Sequence, residues 1–256
     1  MNAPESKLAV VIGGANGIGA ACCRLMTTRG WRIAVGDYDG EAAKMVADEI
    51  GGYGFQIDIR DLGRLEQSAS EIERDVGPVH SLVAAAGAFQ DRFTPDDFPM
   101  DLFRTVLSVN IEGTFNCNRA FGVAMVRRRK GSIVNIASST AYGSSPLHAY
   151  GPSKAAIVNM SRTLAGQWGR AGVRVNSVSP GATVVARVMA RKPGRYAADL
   201  DSQMALGRRV QPSEVAEGVE FLASDRASAI TGIDLLIDAG LVTASAWGIY
   251  GGVPTT

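Results

Sequence analysis

Cysteine is scarce in this sequence, with three in 256 residues, and two of them, Cys22 and Cys23, are neighbours. With Cys117 they are too few and too unevenly placed for a disulfide framework, so a reduced, cytoplasmic compartment is expected. Histidine is scarcer still: His80 and His148 stand alone, with no ligand spacing that points to a metal. Charge of one sign is also missing, since 26 Lys and Arg meet 25 Asp and Glu for a net charge of +1. That balance gives no reason to expect a nucleic acid or an anionic membrane surface as partner. No apolar run is long enough to span a bilayer, and the polar start, Met1 to Lys7, has no signal-peptide core.

What is present is 46% hydrophobic residues, enough to build a sizeable core. Nearly continuous apolar runs at 7–12, 32–35, 54–57, 81–84, 132–136, 173–178 and 234–237 read as parallel strands covered on both faces. Helical patterns at 19–29, 41–50, 62–75, 100–129, 150–168 and 212–224 alternate with them. The alternation predicts an α/β, Rossmann-like, doubly wound parallel sheet with helices on both faces, in a single domain over residues 1–256. The irregular stretch 182–209 reads as a substrate lid, or as a surface excursion with its own short helix.

The first strand runs into Gly13-Gly14-Ala15-Asn16-Gly17-Ile18-Gly19 and then a helix. Glycines there let backbone approach a pyrophosphate, whose charge is favoured at a helix N-terminus. Asp37 ends the second strand, where a carboxylate can accept from both ribose hydroxyls and would repel a 2′-phosphate. No arginine stands at Ala15, Asn16 or Tyr38 to receive such a phosphate, so NAD is favoured over NADP. The other reading of Asp37 is a turn residue before Asp39-Gly40.

Tyr150 and Lys154 lie one helical turn apart, so both side chains can share a face. A free tyrosine titrates near 10, and a nearby ammonium favours its phenolate. Ser138, twelve residues upstream and just past a strand end, is placed to hydrogen-bond a substrate oxygen while Tyr150 exchanges the proton; Ser139 beside it competes for that part.

Gly13, Gly17, Gly19, Asp37, Asp58, Ala86-Gly87, Asn110, Ser138, Tyr150, Lys154 and Pro180-Gly181, in this order and spacing, resemble the short-chain dehydrogenase/reductase family along essentially the whole chain. The resemblance implies Tyr150 as general acid/base, Lys154 also holding the nicotinamide ribose, and Ser138 orienting the carbonyl or alcohol. It implies a water anchored by Asn110 that relays protons to Lys154. Asp58 would face the adenine, Ile59 would add a backbone contact, Gly87 would pass the adenosine ribose, and Pro180-Gly181 would shape the nicotinamide pocket. It also implies a homotetramer.

The sequence departs from the family pattern at Ile12, at Ala84-Ala85-Ala86, and at Val185, where a threonine commonly touches the nicotinamide amide; Thr183 is the candidate to compensate. The basic run Arg127 to Lys130 reads as a solvated helix end. His148 reads as pocket lining or as structural. The tail 241–256 packs near the pocket, across a subunit contact, or as plain surface. Tyr142, Leu147, Phe89, Met189 and Trp247 suggest a fairly apolar pocket for an uncharged secondary alcohol, cyclic or aromatic. The expected activity is hydride transfer between NAD and a small-molecule alcohol or ketone. The competing readings are an NADP-linked ketone reductase and a non-catalytic dinucleotide-binding sensor.

Overall fold

The structure, a computed structural model, describes residues 6–186 and 201–254. Its strands are β1 (Leu8–Ile12), β2 (Arg32–Asp37), β3 (Tyr53–Gln56), β4 (Val79–Ala84), β5 (Gly131–Ile136), β6 (Val173–Pro180) and β7 (Asp234–Ile237). They form one parallel sheet in the order β3-β2-β1-β4-β5-β6-β7. All five residues of β1 are buried, because both faces of the sheet are covered. Ala9 and Val11 face a core shared with α1 (Gly17–Thr28), α2 (Gly40–Ile50) and α7 (Pro212–Ala223). Leu8, Val10 and Ile12 face the opposite core, with α3 (Leu62–Asp75), α5 (Thr114–Arg128) and α6 (Tyr150–Trp168).

The strand order reverses beside β1, with β2 on one side and β4 on the other. In open sheets of this kind, ligands bind in the crevice outside the carboxyl ends of the strands at such a reversal point. The strand ends and loops at that edge carry Gly13, Asp37, Gly87, Ser138 and Gly181.

One expected element is corrected. The helix read at 100–129 is α4 (Met100–Leu107), a π-helical turn at Ser108–Gly113, and then α5. A uniform 3.6-residue period hides one wider turn, and such turns recur at functional sites. This turn carries the buried Asn110 and lays Gly113 on Ile59, where an added Cβ would come within 2.5 Å of the isoleucine side chain. The three cysteines are free and buried among packing residues. Burial pushes the thiols of Cys23 and Cys117 up to about 12.

The lid expected at 182–209 lies partly outside the described residues, at 187–200, and Met189 lies there too. The described ends are anchored: Thr183 bridges Val210, and Met204 is buried. The tail forms α8 (Leu241–Ala244) and a 3-10 turn at Trp247–Tyr250, with Ile249 and Tyr250 exposed. No helix among the described residues is long and apolar enough to cross a membrane, and no metal-binding cluster occurs among them.

Candidate active site

The turn from β1 into α1 is built by close backbone approach. Gly13 has φ +81°, and a Cβ there would lie 2.4 Å from Ala86 N. A Cβ on Gly19 would lie 2.0 Å from Gly13 O. Both positions therefore demand glycine, and they press the turn against the loop after β4. Asn16 caps α1 with an extended backbone but makes no side-chain hydrogen bond to it, and the first turn holds no acidic residue. The helix start at Gly17, Ile18 and Gly19 thus presents backbone N–H groups and a positive dipole end with no competing anion, which fits a diphosphate. Ile18 packs on the first core.

The Asp37 carboxylate accepts from Ala15 N at 3.1 Å and from Asp39 N at 3.2 Å. Two backbone donors leave about half the acceptor capacity of an ionised carboxylate, enough for two ribose hydroxyls. Those bonds also serve the turn, so both readings of Asp37 describe one structure. Asp58 is less open than expected, because Arg60 grips its carboxylate at 2.6 Å and holds that carboxyl below its ordinary range. Ile59 is buried, and its carbonyl accepts from Asn116 Nδ2 at 3.1 Å.

The catalytic candidates converge from three elements. Lys154 is buried, and its Nζ donates to Ile136 O, the last residue of β5, at 2.8 Å. The same ammonium lies 5.5 Å from the Tyr150 ring centroid. A Cβ on Gly87 would lie 3.4 Å from both Lys154 Nζ and Asn110 Oδ1, so these residues meet at one point. Ser138 begins the 3-10 turn after β5, and its Oγ accepts from Thr140 N at 3.2 Å while its own hydrogen remains to donate. Ser139 is equally buried at 8% exposure but does not cap the turn.

Asn110 is committed to protein partners. Its Oδ1 accepts from Ala88 N at 2.8 Å, and its Nδ2 donates to Ala88 O at 3.1 Å and to Ser153 Oγ at 2.9 Å. Both amide hydrogens are used, so a relayed water cannot be held by them. On the far wall, Gly181 N donates to Ile237 O at 3.0 Å beside Pro180, and Thr183 Oγ1 donates to Gly181 O at 3.0 Å. The Thr183 hydroxyl hydrogen is therefore spent on the fold. Val185 sits over the glycine turn, with Cγ1 3.2 Å from where a Gly17 Cβ would be.

Among the apolar lining residues, Phe89 lies against Tyr150 at 4.4 Å between ring centroids. The Tyr142 hydroxyl instead donates to Asp234 at the start of β7, at 2.7 Å. That hydrogen bond anchors the loop, and burial and then the carboxylate push the Tyr142 hydroxyl up to about 12. His148 Nε2 lies 3.1 Å from Phe93 O and its ring meets Phe98 edge-on, which is a structural placement. Arg128 of the basic run binds Glu73 and Val79 O, so it ties α5 to α3 and β4. The sequence reading missed Gln90, Ser153 and Arg60. Of these, only Arg60, two residues from Asp58, had a local signal.

A family model described as Enoyl-(Acyl carrier protein) reductase matches residues 13–242. The chain is 37% identical over 245 residues to a D-threitol dehydrogenase from Mycolicibacterium smegmatis, covering 92% of this chain and 93% of that protein. A solved structure described as ribose-5-phosphate isomerase from Brucella melitensis 16M superposes with a TM-score of 0.93 at 43% identity, over 98% of this chain and 97% of that one. A solved short chain dehydrogenase/reductase family protein superposes with a TM-score of 0.82 at 34% identity, over 93% and 98%.

Proposed function

The chain belongs to the short-chain dehydrogenase/reductase family, and from that premise we propose that it oxidises a secondary alcohol of a small polyol with NAD, or reduces the matching ketone, with Tyr150 as general acid/base. The observation that carries this reading is the buried Lys154 ammonium fixed 5.5 Å from the Tyr150 ring. An ammonium so close favours the phenolate, which can then take the proton of a carbinol. Ser138, with its hydroxyl hydrogen unspent on the turn it caps, holds the substrate oxygen toward Tyr150. Bound in the crevice, NAD would accept the hydride from the carbinol carbon.

Gly13, Asn16, Gly17, Ile18 and Gly19 would hold the diphosphate, and Asp37 the adenosine ribose. Ala86, Gly87 and Ile59 would line the adenosine, and Lys154, Pro180, Gly181 and Thr183 the nicotinamide side. Asp37 supports NAD over NADP, because a carboxylate already facing the turn would oppose a 2′-phosphate. Asn110 acts through Ala88 and Ser153, bracing the loop after β4 against α6. The polyol follows from the D-threitol dehydrogenase. Of the apolar lining expected for a cyclic or aromatic alcohol, Phe89 lies against Tyr150 while the Tyr142 hydroxyl turns to Asp234. We further propose a homotetramer located in the cytoplasm.

The test is NAD reduction with D-threitol and a panel of secondary alcohols, with Tyr150→Phe alongside. Removing a general base costs about 10²–10⁴-fold, so the variant should turn over at 1% of the wild-type rate or below. Full turnover by Tyr150→Phe would overturn the mechanism. The Brucella melitensis neighbour supports a second reading, aldose–ketose isomerisation, in which Tyr150 moves a proton with no net change in NAD. Conversion of ribose 5-phosphate to a ketose without added NAD would favour that reading.

A further inference from the structure

The first turn of α6 has an incomplete set of acceptors of its own. Its cap residue is Ala149, which has no side-chain oxygen, and no side chain of the helix caps it. Gly151 N finds Leu147 O at 2.9 Å, Pro152 has no N–H, and Ser153 N finds Ala149 O at 3.0 Å. Two donors are left over, Ala149 N and Tyr150 N, and Ala149 is fully buried. Both are taken by one atom, Gln90 Oε1, at 2.8 and 2.9 Å. Gln90 is itself only 2% exposed, and its Nε2 donates to Asp91 O at 3.2 Å.

A buried amide on the loop after β4 therefore caps the helix at the very residue that carries the phenol. The same loop touches Tyr150 once more directly and is linked to it once through two intermediate side chains. Phe89 packs on its ring at 4.4 Å. The Tyr150 carbonyl accepts from Ser153 Oγ, which accepts from Asn110 Nδ2, which also donates to Ala88 O. The backbone of Tyr150 is thus held at its N–H by Gln90 and at its C=O through Ser153 and Asn110. Lys154, one turn further, is tied independently to β5 through Ile136 O.

We infer that Gln90 is a positioning residue for the reaction: it fixes the first turn of α6, and so the Tyr150 ring, against the separately anchored Lys154 ammonium. Buried donors without an acceptor do not stay buried, so without Gln90 the turn opens and Tyr150 swings relative to Lys154. The phenol then moves away from the position at which the Lys154 cation favours its phenolate. The inference rests on the reading of Tyr150 as the general base, and the tests separate the two.

Amide hydrogen exchange on the intact wild-type protein comes first. Ala149 and Tyr150 N–H should exchange as slowly as the amides further along α6, and exchange at the rate of free amides would overturn the cap. Next, Gln90→Met keeps the volume and removes the acceptor. The phenolate absorbance of Tyr150, isolated as the difference from a matching Tyr150→Phe protein, should titrate at least about half a unit higher in the Gln90→Met background. With D-threitol and NAD, kcat should fall about tenfold or more with KM within about threefold, because geometry and not binding is lost. An unshifted titration, or a loss confined to KM, would overturn the inference. In the Tyr150→Phe background Gln90→Met should change the residual rate no further. If Tyr150→Phe is inactive while Gln90→Met is normal, only the positioning role fails; if Tyr150→Phe is fully active, the general-base reading fails first.

Discussion

At the scale of single residues, the proposed preference for NAD rests on Asp37. Its two oxygens already accept Ala15 N and Asp39 N, so the carboxylate is oriented before any ligand arrives. An oriented charge discriminates more sharply than a mobile one, because no ordering cost offsets its repulsion of a 2′-phosphate. Asp37→Asn keeps the acceptor oxygen and removes the charge. The ratio of kcat/KM for NAD over NADP should fall by about tenfold or more in that variant, in line with roughly 1.4 kcal/mol per decade. A ratio unchanged between Asp37→Asn and wild type would return Asp37 to the plain turn role. Asp37, Tyr150 and Lys154 could be picked out from sequence because local spacing sets their geometry. Gln90 could not, because the two amides it caps lie 59 and 60 residues along the chain.

Elements carry the next level of control, and α7 shows how. It begins with Pro212 at a position where the missing N–H costs nothing, and Glu214 accepts from Gln211 N at 2.8 Å to close the first turn. Arg208, from the end of the stretch after β6, pairs with the same carboxylate at 2.7 Å. Together the guanidinium and the backbone N–H hold the Glu214 carboxyl down to about 2 from its ordinary 4.5. The folded value lies below the unfolded one, so this contribution is full above about 4.5 and is lost as pH falls toward about 2. Melting temperatures of wild type and Glu214→Gln should differ at neutral pH and converge as the solution is acidified through that window. A gap that persists at the acid end would mean that the carboxylate contributes nothing of its own. The same helix packs against α1 behind the glycine turn, so its stability bears on the proposed diphosphate site. The π turn at Ser108–Gly113 works at this level too: it aims Asn110 at Ala88 and Ser153, which a regular helix read from periodicity would not reveal.

For the whole molecule, the crevice lies between two halves of one sheet, so a ligand in it ties the β1–β2 side to the β4–β6 side. A ligand that binds only the folded state stabilises it by mass action, by about 2.7 kcal/mol at a hundred times its dissociation constant. For a domain of this size that is worth several degrees, so NAD should raise the melting temperature clearly and NADP less at equal concentration. Equal shifts from both would contradict the preference assigned to Asp37. Strand runs, most helices, the glycine turn and the Tyr150–Lys154 pair were determined by the sequence alone, because burial on two faces and the 3.6-residue period act locally. Tertiary structure alone decided the rest: that Arg60 engages Asp58, that Tyr142 turns to Asp234, that both Asn110 amide hydrogens are taken, and that Gln90 caps the helix of Tyr150. The last three are hydrogen bonds between groups 22 to 92 residues apart, and even the local Asp58–Arg60 pair depends on how the loop after β3 turns. A polar side chain's partner is set by which buried donors the packed elements leave unpaired, and that is known only once the elements are packed.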